Sequence, residues 1–546
     1  MKSNSKHACR TLAALLVTAL AAGQPAYAID ERESLEAMRE TTLNLIDALV
    51  EQKVFSREQA DAMVKAAQAK AAKVVAAEKP KAGAPVRVQY VPETVKNEIR
   101  DQLRQEVLAQ AKAERWAEPN AVPSWLDRIK WEGDLRVRYQ MDRFDSGNTA
   151  PLDYVFAADS GTTRAAGFLT GDESRGATAN TTENRERFRL RARLGMLAKI
   201  SDEWSGGIRL ATGSSTDRVS TNQTMGQDFN KYSLFVDRAY VKYEPVEWLS
   251  VTGGRIPNPW YSTDLVWDED LNFEGFAATF KPAIGDGSIK PFLTIGAFPV
   301  KEGNPPNASS RWLKGVQAGA KWDMTQHSKL TVGAAWYNFS KLEGRLDGDP
   351  GLDLAPGFGQ YEYSNGLRQK GNTLFLTDFD RTDGAAPQYW GLASKFRPLN
   401  LTASLDLAHF DPVHVVLTAD YVKNTAFDRN EILRRTGVNL TDGKDYGYLY
   451  KIAVGMPKLE KRHDWQATFA YRYLGSDATV DAFTDSDFGL GGTNLKGYQL
   501  GFSYGIDQNA FLNLRWISAQ SIDSFSLVPS QRFAVDVIQA DVNVRF

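Results

Sequence analysis

The last nine residues of the chain read Ile538-Gln-Ala-Asp-Val-Asn-Val-Arg-Phe546, and apolar and polar side chains alternate throughout. Successive side chains of a β-strand point to opposite faces, so this stretch has one apolar and one polar face. The apolar face comprises Ile538, Ala540, Val542, Val544 and Phe546. We expect a strand that separates an apolar medium from water and closes the fold.

The same period of two runs through residues 187–196. One face carries Phe188, Leu190, Ala192, Leu194 and Met196, and the other carries Arg187, Arg189, Arg191 and Arg193. A strand of a soluble β-sandwich rarely has four arginines in a row on one face. The wall of a water-filled lumen can carry such a row while its other face meets lipid.

Sixteen segments of this kind follow one another, and their connections alternate strictly between long and short. The segments begin near residues 131, 186, 203, 234, 247, 273, 288, 312, 328, 398, 413, 447, 463, 495, 509 and 531. Long external loops and short periplasmic turns are typical of outer-membrane barrels. The sequence therefore predicts an all-β transmembrane antiparallel β-barrel of about 16 strands over residues 131–546, preceded by a short α-helical periplasmic region.

The N-terminus has the order of a secretory signal peptide over residues 1–28. Three basic residues precede an apolar run at 12–22, which is too short to cross a bilayer as a helix, and Ala26-Tyr27-Ala28 provides small residues for cleavage. The only cysteine, Cys9, lies ahead of the apolar run, so the exported chain has no disulfide. We expect export to the bacterial outer membrane.

Between the signal peptide and the barrel, the apolar period is that of amphipathic helices. We predict a helical hairpin or coiled coil at 29–77, an Ala/Lys/Pro linker at 78–92, and a helix with a connecting segment at 93–130. These helices are expected in the periplasm. An oligomerisation stalk is one interpretation, and a structural tether to peptidoglycan with a secondary pore is the alternative.

Aromatic rings cluster at the strand ends, where girdles of Trp and Tyr position a barrel in lipid. They are Trp131, Trp204, Trp248, Trp322, Trp336, Tyr471 and Tyr473. The terminal Phe546, in phase with Val544 and Val542, resembles the C-terminal insertion signal of outer-membrane proteins. That resemblance implies recognition by the barrel assembly machinery and contact with outer-membrane lipid and lipopolysaccharide.

Three stretches resemble the putative porins of proteobacteria. They are Tyr90-Val91-Pro92-Glu93 with the helix to Arg115-Trp116-Ala117-Glu118-Pro119, Trp131-Glu132-Gly133-Asp134-Leu135-Arg136-Val137-Arg138-Tyr139, and Val236-Asp237-Arg238-Ala239-Tyr240-Val241-Lys242-Tyr243. The resemblance covers the layout of the mature chain. It implies a pore-forming barrel, usually a homotrimer, and it brings no substrate and no catalytic residue.

A barrel of sixteen strands holds an aqueous channel unless something fills it. The inward positions of the first strands are basic, at Arg136, Arg138, Arg187, Arg189, Arg191, Arg193, Arg209, Arg238 and Lys242. One hypothesis is that these pore-lining residues favour anions, because fixed positive charge concentrates them. The other is that the arginines pair with lumen acids such as Glu132 and Asp134, and only keep the wall polar.

The third external loop of general porins folds inward, and residues 257–272 form the third external loop here. By that similarity of topology, Asp264, Asp268, Glu269 and Asp270 are expected to form a constriction loop facing the arginines. The alternative is a loop at the mouth whose acids bind a divalent cation, although their spacing matches no defined calcium loop.

Other functional classes have less support in the sequence. The mature chain has only His327, His409, His414 and His463, none in a recognisable arrangement with Ser and Asp, so an enzyme is not expected. No cofactor, metal site or nucleic-acid partner is expected either. The sequence predicts an outer-membrane porin for passive diffusion of small hydrophilic solutes and ions, with a preference for anions.

Overall fold

The computed structural model describes Lys65 and residues 128–149, 180–285, 287–303, 309–345, 360–364, 367–377, 390–436, 444–523 and 532–546. Lys65 is helical. Apart from that residue and residues 128–130, the predicted signal peptide, helices and linker lie outside the described part of the chain. They stay predictions.

Sixteen antiparallel strands form one closed sheet, and each begins within three residues of its predicted start. The strands are β1 (Ile129–Phe144), β2 (Arg185–Lys199), β3 (Trp204–Ala211), β4 (Phe235–Val246), β5 (Leu249–Pro257), β6 (Asn272–Phe280), β7 (Ile289–Lys301), β8 (Arg311–Thr325), β9 (Ser328–Ser340), β10 (Pro398–Phe410), β11 (Val413–Asn424), β12 (Tyr446–Gly455), β13 (Trp465–Leu474), β14 (Leu495–Asp507), β15 (Ala510–Ser521) and β16 (Ala534–Arg545). The barrel thus begins at Ile129, two residues before the predicted boundary. A two-residue strand, Gln223–Thr224, also pairs with β2.

The barrel closes where β1 pairs with β16, with Val137 opposite Val542. Beyond the last registered pair, the backbone N–H of Gly133 donates to the carbonyl of Phe546 at 2.9 Å, and the N–H of Phe546 donates back at 3.0 Å. The Phe546 ring covers Gly133 so closely that a Cβ atom there would collide with it. The terminal residue is therefore part of the seam between the first and last strands.

Side chains alternate between the lumen and the outer surface, as the dyad pattern predicts. In β1, Leu135 and Val137 are 46% and 47% exposed, whereas Arg136 and Arg138 are 6% and 0% exposed. The tryptophans of the predicted girdles are all exposed on the outer surface. The apolar face thus lies outside, where a bilayer meets it, and the charged face lies inside.

Short turns lie at one end of the barrel, here the turn end, and eight long loops lie at the other, the loop end. The loops are L1 (145–184), L2 (212–234), L3 (258–271), L4 (302–310), L5 (341–397), L6 (425–445), L7 (475–494) and L8 (522–533). L5 contains a strand pair, Leu374–Leu376 with Trp390–Leu392, and L6 contains helix α1 (Arg429–Thr436). The predicted alternation of long and short connections is confirmed for seven of the eight loops, whereas L4, at nine residues, is no longer than the turn at residues 456–464.

The buried apolar core lies inside the barrel and is built mainly by loops. Trp260, Leu265 and Trp267 of L3 belong to one cluster with Phe339 of β9 and Phe483 of L7. The rings of Phe339 and Phe483 stack 5.9 Å apart. Loops that carry their own apolar residues can therefore fold into the lumen and stay there.

No helix in the described part of the chain is long and apolar enough to cross a bilayer.

Candidate functional site

Strands β1 and β2 place a row of basic side chains on the lumen wall. Their register sets Arg136 opposite Arg191, and Arg138 opposite Arg189. Like charges directly opposite one another repel, so the arrangement needs acids from neighbouring elements. The structure supplies those acids from three places: the same strands, the far side of the seam, and the loops.

Most of the predicted arginines have an acidic partner. Arg138 binds both oxygens of Asp541 across the seam, at 2.7 and 2.9 Å, and Asp487 of L7 at 3.0 Å. Arg191 and Arg193 share Asp134, at 3.0 and 2.5 Å, and Arg193 also binds Asp270 of L3 at 2.9 Å. Arg187 binds Asp142 at 3.1 Å. Lys242 binds Glu244 at 2.7 Å.

A β-bulge in β4 changes the alternation near Arg238. The pairing with β3 shifts between Arg209 and Leu210, so both Asp237 and Arg238 enter one lumen network. Arg209 Nε donates to Asp237 at 2.6 Å, Arg238 Nε donates to Asn272 at 2.7 Å, and Asn272 Nδ2 donates to Asp237 at 2.7 Å. The alternating pattern has no signal for this bulge, so Asp237 was not predicted as a partner.

Three of the predicted pore-lining residues have only uncharged partners among the described residues. Arg136 donates to the side-chain oxygen of Asn222 at 2.6 Å, and Arg238 to Asn272. Arg189 donates to Gln140 and to Ser220, each at 3.3 Å. Glu132, which was expected to pair, forms no ion pair with a described residue. The positive charge of the wall is therefore only partly neutralised, and within the described part of the chain it remains uncompensated at these three arginines.

L3 lies inside the barrel and crosses the lumen. The backbone N–H of Tyr261 donates to Gln317 Oε1 of β8 at 2.8 Å, and Gln317 Nε2 donates to the Tyr261 carbonyl at 2.8 Å. Thr263 donates to Asp420 of β11. Arg472 of β13 donates to the Leu265 carbonyl at 3.4 Å. The loop is thus fastened to strands far from the two that it connects.

The four acids of L3 have different surroundings. Asp270 meets the arginine wall through Arg193 and is 6% exposed. Asp268 is also buried but faces L7, accepting from the backbone N–H of Ser486 at 2.9 Å. Asp264 and Glu269 border open space in the lumen and have no ion pair with a described residue. Only part of the predicted acid set therefore opposes the arginines directly.

L7 also folds inward, and no pattern in its residues predicts this. Asp487 accepts from Arg515 of β15 at 2.5 Å as well as from Arg138. Burial favours a neutral carboxyl, but the charges of Arg138 and Arg515 hold the pKa of Asp487 well below its usual range. Burial, with Asp264 nearby, raises the pKa of Asp485 to about 7. A long loop without periodicity has no feature that places its acids in a lumen.

Three cavities follow one another through the lumen. The turn-end cavity has a volume of about 590 Å³, the central cavity about 430 Å³, and the loop-end cavity about 510 Å³. The first two share Arg136, Glu269 and Asp270 as lining residues. The central and loop-end cavities share Val219 and Ser486. Each junction between cavities is thus bordered by an inward loop.

The central cavity has charges of both signs. Arg136 and Arg515 lie on one part of its lining, Lys451 of β12 on another, and Asp264 and Glu269 come from L3. Within the described part of the chain, no group of three or more His, Cys, Asp or Glu side chains is arranged to hold a metal ion.

A closed barrel of sixteen strands with an apolar exterior and a charged interior defines an outer-membrane β-barrel protein. The sequence profile of the putative porin family matches residues 39–546, and the chain belongs to this family. No curated protein matches the sequence.

Two solved structures are similar to this chain at low sequence identity. Salmonella typhi OmpF, solved in complex with daunomycin, is 10% identical, with 77% of this chain and 97% of that chain covered and a TM-score of 0.36. A loop-deletion mutant of OmpT, an outer membrane protein of Vibrio cholerae, is 9% identical, with 77% and 99% covered and a TM-score of 0.36.

Proposed function

We propose that this protein is a porin through which small hydrophilic solutes diffuse passively across the outer membrane, with a preference for anions. The observation that carries the proposal is the series of three lumen cavities, which share lining residues from one end of the barrel to the other. Their lining is charged and hydroxyl-rich, which suits hydrated solutes. The narrow places are formed by loops, the usual means by which barrels set selectivity.

The preference for anions is supported by the charge at the loop end. The loop-end cavity is lined by six basic side chains and two acidic ones, counted over the described residues. Fixed positive charge in a low-dielectric passage raises the local concentration of anions. The central cavity works against this preference, because L3 and L7 bring carboxylates to it.

The remaining parts of the proposal concern assembly and surroundings. Val542 and Val544 are exposed on the outer surface, which is compatible with recognition of the terminal strand by the barrel assembly machinery. The homotrimer rests on the family resemblance, and the contact with lipopolysaccharide rests on the resemblance of the last strand to an insertion signal. The periplasmic position of the N-terminal region rests on the long first connection, which an external loop requires. Cross-linking of the protein in native membranes tests the trimer.

Conductance in planar bilayers tests the function directly. We expect discrete single-channel steps. In a KCl gradient, the reversal potential should be shifted from zero towards the equilibrium potential of chloride. A reversal potential on the potassium side would overturn the anion preference and leave the porin intact. The absence of discrete steps from correctly folded protein would overturn the porin.

A further inference from the structure

The loop-end cavity differs from the other two in its charge. Its cations come from strand β2 and its flanking residue and from loops L2 and L5: Arg185, Arg187, Arg189, Arg218, Arg368 and Lys370. Its acids are Asp142 and Asp217. Among the described lining residues, basic side chains thus outnumber acidic ones by four, although burial lowers the pKa of Lys370 to about 7. In the field of such an excess, the Coulomb energy of a dianion is twice that of a monovalent anion at the same place.

Arg189 is held less firmly than the other arginines of the wall. Its two hydrogen bonds, to Gln140 and Ser220, are both 3.3 Å long, which is beyond the usual range. Its Nε, like that of Arg187, is buried with no hydrogen-bond partner in the described part of the chain. Buried donors without partners are costly, so both guanidinium groups lack part of their hydrogen bonding. Both side chains are half-buried and line the cavity, where an anionic oxygen can accept from their remaining N–H groups.

The acids of the cavity are already engaged. Asp142 binds Arg187 at 3.1 Å and accepts from Gln140 at 2.7 Å. Asp217 accepts from the backbone N–H of Val219 at 3.1 Å. Lys370 lies on the same lining, with its Nζ donating to the Gly489 carbonyl at 2.5 Å. The cavity therefore has guanidinium groups from strand β2 and from the loops, while each of its two carboxylates already accepts a hydrogen bond from a neighbouring group.

We propose that the loop-end cavity is a binding site for small oxyanions with two negative charges, inorganic or carboxylic, through which such solutes enter the channel. The inference rests on the proposed porin function and names the class of solute that the entry favours. The volume of about 510 Å³ admits such an anion with part of its hydration shell. Its cationic groups lie on several elements, so an anion is contacted from more than one direction.

Titration calorimetry of the full-length protein in detergent, with sulfate, succinate and acetate as probes, tests the site without a membrane. We expect sulfate and succinate to bind at least about tenfold more tightly than acetate. Arg189→Gln keeps a polar side chain beside Gln140 and Ser220 and leaves no acid unpaired. It should weaken the binding of both dianions by about tenfold, through loss of one charge-assisted contact.

Arg238→Gln is the matched control, because Arg238 also has only a neutral partner but lines the turn-end cavity. It should change sulfate affinity by less than about twofold, since screening limits charge effects to about 8 Å. If Arg189→Gln does not fold, Arg218→Gln in L2 replaces it, with a several-fold loss expected. Equal affinities for sulfate and acetate, or equal losses in the Arg189 and Arg238 variants, would overturn the site.

The same preparations in bilayers separate the two proposals. Discrete conductance without tighter binding of the dianions refutes the oxyanion site and leaves the porin intact. Dianion binding without any conductance refutes the porin.

Discussion

Asp487 is one carboxylate that neutralises the charge of two arginines in the lumen. It lies in a loop, yet it is shared by Arg138 of β1 and Arg515 of β15. Arg138 has a second acid, Asp541, whereas Asp487 is the one acid within ion-pair distance of Arg515 among the described residues. Removing one partner of a buried ion pair is far more costly than breaking a pair on the surface.

Asp487→Asn should therefore leave an unneutralised guanidinium at Arg515. We expect the free energy of unfolding, measured with urea in lipid vesicles, to fall by up to about 3–5 kcal/mol. The reversal potential in a KCl gradient should move further towards chloride. Asp202→Asn, which removes an exposed partner of Lys199, is the control and should cost about 0–1 kcal/mol. An unchanged reversal potential would mean that Asp487 does not contribute to the field of the lumen.

Asp485 gives the lumen a dependence on pH. Its pKa of about 7 lies above the usual 3.8, so the folded protein keeps a proton that the unfolded chain releases at lower pH. Between about pH 4 and 7, the contribution of Asp485 to stability should thus decrease as the pH rises. Its charged neighbours are Asp264, Asp487 and Arg472. Ionisation adds a negative charge there, so the preference for anions should weaken from about pH 6 to 8.

In the wild type, the reversal potential should change in a step between about pH 6 and 8 as Asp485 ionises. Asp485→Asn should remove this step. Other loop groups titrate nearby, since burial raises the pKa of Asp481 to about 6 and lowers that of Lys370 to about 7. The difference between the wild type and the variant therefore isolates Asp485. Identical pH profiles in the two proteins would assign the step to another group.

At the scale of elements, L3 owes its position to a few contacts with distant strands. Gln317 of β8 is 1% exposed and bonds both backbone groups of Tyr261. Thr263 and Leu265 are held from β11 and β13. The loop therefore has a fixed place in the lumen, and its attachment can be weakened from the wall.

Gln317→Ala removes both hydrogen bonds to Tyr261 and leaves two backbone groups unpaired, at a cost of about 1–3 kcal/mol for each. We expect larger and noisier single-channel currents, because L3 gains freedom to move. Ser503→Ala, in the lumen wall, is the control: among the described residues the Ser503 side chain has one hydrogen bond, to Asn513 at 3.2 Å, and the variant should conduct normally. Quiet, unchanged currents in Gln317→Ala would show that other contacts hold L3.

The strands could be predicted closely, while the arrangement inside the lumen could not. A strand between lipid and water must alternate, so the composition of Arg187 to Met196 determines both its conformation and its facing. L7 folds into a space that other loops create, and nothing in Asp485 or Asp487 shows in advance which arginine they meet. The same holds for Asp237, whose facing depends on a bulge. The inward path of L3 was expected from the loop topology of general porins and not from the residues of L3 themselves.

At the scale of the whole molecule, the barrel forms a complete ring of backbone pairing. β1 pairs with β2 and with β16, so no edge of the ring is left open among the described residues. Every strand of the ring comes from residues 129–545. Within the described part of the chain, residues 129–545 therefore supply the strand pairing that closes the barrel.

Deleting residues 30–115 should therefore leave the single-channel current unchanged. A tether to the cell wall or a stalk would be lost, but the pore would remain. Conductance of the refolded variant in planar bilayers, with gel migration before and after heating as a check of folding, measures this. A folded variant with altered conductance would show that the helices take part in the pore. Loss of current only through failed assembly would favour the oligomerisation stalk.

The seam between β1 and β16 joins residues 403 positions apart, as in the pair of Arg138 and Asp541. Before β16 arrives, β1 is an open edge whose backbone groups can pair with any other chain. An incomplete chain with only the first fifteen strands would, if it folded, form an open sheet prone to aggregation. Its lipid-facing side chains would be exposed to water. Synthesis and closure must be separated in time, and the cell has to keep the exported chain unfolded until the partner of its first strand has been translated.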